Sequence, residues 1–96
     1  MSEIDEVIHQ PLRLRIMAAL AALESDSEVD FSFLRDQLKA SDGNLGAHLE
    51  KLEAARYLNM RKAFVDRRPK TFLRLTKEGR RAYEDYIESL KKIIGK

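Results

Sequence analysis

Between residues 41 and 76 the spacing of apolar side chains changes once, and that change sets most of what the chain can become. In "SDGNLGAHLEKLEAA" the leucines at 45, 49 and 52 recur at the helical period, so one side of a helix faces a core. Directly afterwards Leu58 and Met60 alternate with Asn59 and Arg61, and Leu73 and Leu75 repeat the alternation beyond "FVDRRPKTF". Period two on both sides of a polar turn makes a β-hairpin. Pro69, which has no amide proton to give a ladder, belongs at the tip of that hairpin or on an edge.

The segments around this unit are helical. Ile4, Val7 and Ile8 suggest a short helix over about 3–10, and Pro11 starts a second one with Leu12, Ile16, Leu20 and Leu23 on its inner side. The polar stretch "ESDSEVD" is a loop. Asp30 suits the N-cap of the next helix, "FSFLRDQLK", with Val29 and Leu34 spaced as a hydrophobic staple and an end near Ala40. Ser41 then caps the helix over about 42–55, and Thr76 caps a last helix over about 77–94. The inner stripe of this last helix is Gly79, Tyr83, Tyr86, Ile87, Leu90 and Ile94. The expected fold is mainly α with a small β-hairpin, an α+β domain over residues 1–96 with a three-helix core, a wing and a long C-terminal helix.

Charge is distributed unevenly. The net formal charge is only +2, yet residues 1–55 hold 5 Lys/Arg against 11 Asp/Glu, and residues 56–81 hold 10 against 2. A cationic block of that density is the footprint of a surface that meets polyanions. Other classes have little support. The chain has no cysteine, and His9 and His48 lie far apart, so no metal site is expected. No nucleophile–base set or phosphate-binding glycine loop can be placed, since "DGNLG" opens a helix without a preceding strand. Neither an enzyme nor a cofactor is expected. The start, "MSEIDEVIHQ", is acidic where a signal peptide is basic, and "IMAALAAL" is too short to span a bilayer, so a cytoplasmic protein with no membrane partner is expected.

Two helices joined by a tight turn form a helix-turn-helix, whose second helix enters the DNA major groove. With the leucines inward, Gly43, Asn44, Ala47, Glu50, Lys51 and Ala54 face outward, and His48 lies at one flank. Asn44 can bond adenine bidentately, Lys51 can reach guanine or phosphate, and Gly43 and Ala47 allow close approach. Glu50 opposes phosphate contact. The helix N-terminus at Ser41 favours an anion. Arg67, Arg68 and Lys70, with Thr71 beside them, form a stiff cationic wing that can enter the minor groove or clamp phosphates. The same charge can instead protect an exposed strand edge, and the same fold can present its helix to a protein partner as an adaptor.

"DGNLGAHLEKLE", the "RRPKT" wing and "LTKEGRRAYEDY" resemble the small stand-alone winged helix-turn-helix transcriptional regulators related to MarR-like and ArsR-like repressors. The resemblance runs from about Ile8 to Leu90. It implies that the helix from Ser41 is the recognition helix, that Arg67 to Lys70 are wing contacts, and that the outer helices build a homodimer. The interface would then draw on Ile4, Val7, Ile8, Tyr83, Tyr86, Ile87, Leu90 and Ile94, and double-stranded DNA and a second copy are the expected partners. No residue marks an effector pocket. One departure is "AARY", which sets Arg56 where such sequences carry glycine, at a cost of about 1 kcal/mol if that residue adopts a left-handed cap.

Overall fold

Pro11 has its φ fixed in the helical range and opens α1 (Pro11–Ala21), while the Gln10 side chain caps the helix by accepting from the Arg13 amide at 2.8 Å. The computed structural model describes residues 4–95. After α1 come β1 (Val29–Asp30), α2 (Phe31–Leu38), α3 (Asp42–Ala54), β2 (Leu58–Val65), β3 (Arg68–Leu75) and α4 (Lys77–Ile93). The strands form one antiparallel sheet in the order β1-β3-β2.

All three expected oxygen caps form. Asp30 accepts from the Phe33 amide at 2.8 Å, Ser41 from the Asn44 amide at 3.1 Å, and Thr76 from the Gly79 amide at 2.8 Å. Each satisfies an otherwise unpaired donor at a helix start. The helix ends are equally specific. At the end of α3 the Tyr57 amide reaches the Leu52 carbonyl at 3.0 Å and the Arg56 amide reaches Glu53 at 2.9 Å, with Arg56 at φ +69°. This pair of bonds is a Schellman cap, closed by arginine in the left-handed conformation that glycine usually supplies. Lys39 closes α2 in the same way at φ +54°.

The core lies where α1, α2, α3 and the inner side of the sheet converge. Ile16, Met17, Leu45, Leu49, Leu52, Leu58 and Leu73 are each 0% exposed, which fixes the rotation of α3 about its own axis. In α1 the buried side chains are Ile16, Met17 and Leu20, while Leu12 and Leu23 are half-buried at its margins.

One sequence expectation is corrected, and one strand is added. The segment before Pro11 is a turn, not a helix: the Asp5 carboxylate accepts from the Val7 and Ile8 amides at 2.8 and 3.2 Å, and residue 3 lies outside the described residues. A proline disfavours helical backbone in the residue before it, and Gln10 is extended at φ −155°. Val29 keeps the place expected of a staple residue, packed on the core beside Leu34, but it is also a strand residue paired with Leu73, and β1 had no signal in the sequence pattern.

Asp5 also ties this turn to the end of α3 by accepting from the Tyr57 hydroxyl. Burial, followed by the neighbouring Asp5 carboxylate, pushes the Tyr57 phenol up to about 12 from the usual 10.0. The neutral phenol is the form the fold favours. Its contribution to stability is therefore complete below pH 10 and is lost as pH rises toward 12. Tyr57→Phe is expected to lose this part of the alkaline destabilisation, measured as the difference in urea midpoint from wild type between those two pH values.

Candidate nucleic-acid interface

Because Leu45, Leu49 and Leu52 anchor α3 to the core, its opposite side is necessarily free. Gly43, Asn44, Ala47, Glu50, Lys51 and Ala54 are all exposed. The first turn of α3 is less open to an anion than Ser41 alone suggests. The Ser41 hydroxyl is already bonded to the Asn44 amide, and Asp42 beside it is paired with Arg35 at 2.9 Å. These bonds, with Asp42 first and Asp36 second, raise the Arg35 pKa further and link α2 to the start of α3.

His48 is half-buried, and its Nδ1 accepts from the Arg13 guanidinium at 3.0 Å. Desolvation, followed by the Arg13 and Lys51 charges, lowers its pKa below 6.5, so the ring is neutral at pH 7. His48 can offer a hydrogen bond but adds no positive charge.

The wing turns more tightly than its proline suggested. Val65 pairs with Arg68, leaving only Asp66 and Arg67 as the loop, at φ +52° and +67°. Two successive positive φ values define a type I′ turn, the form whose twist matches the strands it joins. Pro69 is therefore not at the tip: it lies in β3 opposite Phe64. The pair flanking a two-residue turn is the hydrogen-bonded one, so the next pair leaves the proline nitrogen facing outward. At that level β3 is an open edge, since β1 reaches only Phe72 and Leu73.

The wing cations divide into two groups. Arg61 pairs with Glu28 through two bonds at 3.1 and 2.8 Å and lies over the Phe72 ring at 4.6 Å. Lys70 pairs with Asp30 at 3.1 Å. Both carboxylates are held below their usual pKa values, Glu28 chiefly by the Arg61 bond and Asp30 chiefly by the Phe33 amide with Lys70 second, so they remain charged at neutral pH. Lys62, Arg67 and Arg68 are exposed and have no ion pair among the described residues. Thr71 is half-buried, and with Arg68, Pro69 and Lys70 it borders a cleft of about 410 Å³ facing Asp30, Phe31 and Ser32 at the start of α2.

Sequence reasoning missed Glu28 and Asp30 as partners of the wing, because the pairs join residues 33 and 40 positions apart. It also missed Phe64, which is 78% exposed.

The residues expected at a dimer interface separate as well. Ile8 and Tyr86 are 0% and 3% exposed inside the protomer, and Tyr86 shares a 2.8 Å hydrogen bond with His9, so neither has surface left for a partner. Ile4, Val7, Tyr83, Ile87 and Leu90 are half-buried against the core, and Ile94 is 66% exposed. Among the described residues no group of three or more His, Cys, Asp or Glu can hold a metal, and no helix is long and apolar enough to cross a membrane.

A helix-turn-helix followed by a two-stranded hairpin is the winged helix-turn-helix, a DNA-binding class. The chain belongs to the winged helix DNA-binding domain family, whose match covers residues 12–94, and its relatives of known structure include transcriptional regulators. It is 34% identical over 82 residues to an uncharacterized protein of Methanocaldococcus jannaschii, covering 85% of this chain and 86% of that one. The transcriptional regulator homologue of Pyrococcus horikoshii OT3 superposes with a TM-score of 0.85 at 28% identity, over 95% of this chain and 87% of the other. NadR, solved in complex with 4-hydroxyphenylacetate, gives a TM-score of 0.72 at 28% identity, over 94% of this chain and 61% of its own.

Proposed function

We propose that the protein is a sequence-specific reader of double-stranded DNA that regulates transcription as a homodimer. The α3 helix enters the major groove, where Asn44 and Lys51 contact base edges and Gly43 and Ala47 allow the backbone to approach. Ser41 and neutral His48 add hydrogen bonds at the two margins. Arg67 and Arg68 meet the minor groove or its phosphates, and Lys70 and Thr71 lie behind them as weaker contacts. The observation that carries this reading is the bare outer side of α3, small and polar along its length, in the same small domain as a wing whose tip cations have no ion pair among the described residues.

The dimer reading rests on α4. It runs for 17 residues, about 25 Å, yet only Gly79 and Tyr86 along it are buried. Ile93 and Ile94 are 64% and 66% exposed at its far end. A twofold pairing through Tyr83, Ile87, Leu90 and Ile94, bordered by Ile4 and Val7, covers that stripe and presents two recognition helices about one DNA turn apart.

A salt titration of binding to random duplex tests the reading. With roughly four to six phosphates contacted per protomer, log affinity is expected to fall with log salt at a slope of about −0.9 per phosphate. A nearly flat response favours a protein-contact adaptor and contradicts the proposal.

A further inference from the structure

The most exposed large apolar side chain among the described residues is Phe64, at 78%, one residue from the end of β2 and two from the turn. A ring left in water forgoes the stabilisation that its burial supplies, so its position asks for an occupant. Its surroundings define the chemistry of that occupant. Phe64 lies directly across the ladder from Pro69, a rigid neighbour, and alternation puts it on the same side of the hairpin as Lys62 and Thr71. Arg67 and Arg68 follow within four residues, Arg68 on the other side of the hairpin opposite Val65, and like Lys62 they are exposed and have no ion pair among the described residues.

Apolar surface bordered by unpaired cations fits a partner that is anionic at its edges and apolar between them. The duplex minor groove has this character: phosphates line its rims, and sugars and base faces lie within. The two-residue Asp66–Arg67 turn lies just beyond the ring and keeps the end of the wing narrow where the groove is only about 6 Å wide.

We infer that Phe64 is an apolar wedge, inserted by the wing into the minor groove against a base step, while Lys62, Arg67 and Arg68 hold the flanking phosphates. The inference rests on the DNA-binding reading above and adds a residue and a kind of recognition to it. An apolar wedge senses how readily a step unstacks, so the wing favours flexible pyrimidine–purine steps without a hydrogen bond to any base.

The test is a salt titration of the full chain on duplex DNA, comparing wild type, Phe64→Ala and Phe64→Leu, with sedimentation of each protein alone. Because the ring is exposed, neither substitution disturbs the core. Phe64→Ala is expected to bind about tenfold more weakly at every salt concentration, with the slope of log affinity against log salt unchanged, since no phosphate contact is lost. Phe64→Leu, which keeps an apolar wedge, should remain within about threefold of wild type. Wild-type affinity in Phe64→Ala overturns the wedge alone, as does a loss matched by weaker self-association. A wild-type protein that binds no duplex overturns the DNA reading and the wedge with it.

Discussion

Replacing Gly79 with alanine is expected to lower the stability of the fold by about 3 kcal/mol or more and the melting temperature by about 12–24 °C. Gly79 lies in the first turn of α4, and a Cβ built there falls 1.9 Å from the Tyr57 carbonyl oxygen and 2.7 Å from its carbon. The obstacle is backbone, so no rotamer change relieves it. That carbonyl also accepts from the Thr76 amide at 3.0 Å, while the Thr76 hydroxyl donates to the Arg56 carbonyl at 2.7 Å and accepts from the Gly79 amide. Moving α4 outward to make room breaks these bonds together and withdraws Tyr86 from the core. Gly43→Ala is the control, since a Cβ there meets nothing within 4 Å and should be neutral or stabilising by up to about 1 kcal/mol. Thermal unfolding followed by circular dichroism measures both, and a Gly79→Ala protein that melts within a few degrees of wild type contradicts the packing described.

The second large effect concerns binding. Changing Arg67 and Arg68 together to alanine is expected to weaken binding to any duplex about 100-fold, taking roughly 1.5 kcal/mol for each charged contact. The salt slope should become shallower by about 1.8, two phosphates at about 0.9 each. Both side chains are exposed, and alanine at 67 meets the same left-handed strain as arginine, so the fold is preserved. Selective and random sequences should suffer alike, which marks the wing tip as a source of affinity more than of base choice. Lys70→Ala should change the slope less, because Asp30 already neutralises that cation. An unchanged slope in the double variant contradicts the assignment of the wing.

The parts of this fold that were legible in the sequence are those decided within a few residues. Asp30, Ser41 and Thr76 cap their helices because a side-chain oxygen reaches an amide three positions ahead, and Leu45, Leu49 and Leu52 turn α3 because their spacing leaves one buried side. The end of α3 was not legible in the same way, since arginine replaces the usual glycine there and only the Schellman bonds place Arg56 in the left-handed region. What the sequence hid depends on distant partners or unusual turn residues. Ile4, Val7 and Ile8 have helical spacing, but Asp5 and Pro11 make that stretch a turn that places Ile8 in the core. A type I′ turn favours Asn-Gly, so Asp66 and Arg67 concealed the tip, and of the two places expected for Pro69, tip or edge, it takes the edge. Tyr86 matched a dimer stripe by period, yet its hydrogen bond to His9 and its burial keep it inside one protomer. The outward residues of α3 and the exposed wing arginines were legible; the pairs that join Arg61 to Glu28 and Lys70 to Asp30 were not.

The central claim is that the outer side of α3 and the wing tip engage one duplex at the same time. Amide NMR spectra of the full chain, recorded as a duplex selected from a random pool is added, test it most directly. The account predicts that resonances of Asn44, Ala47 and Lys51 shift together with those of Asp66, Arg67 and Arg68 along a single binding curve. Shifts confined to one of the two sets, or an α3 set that stays silent because a second copy of the chain covers it, would contradict the account.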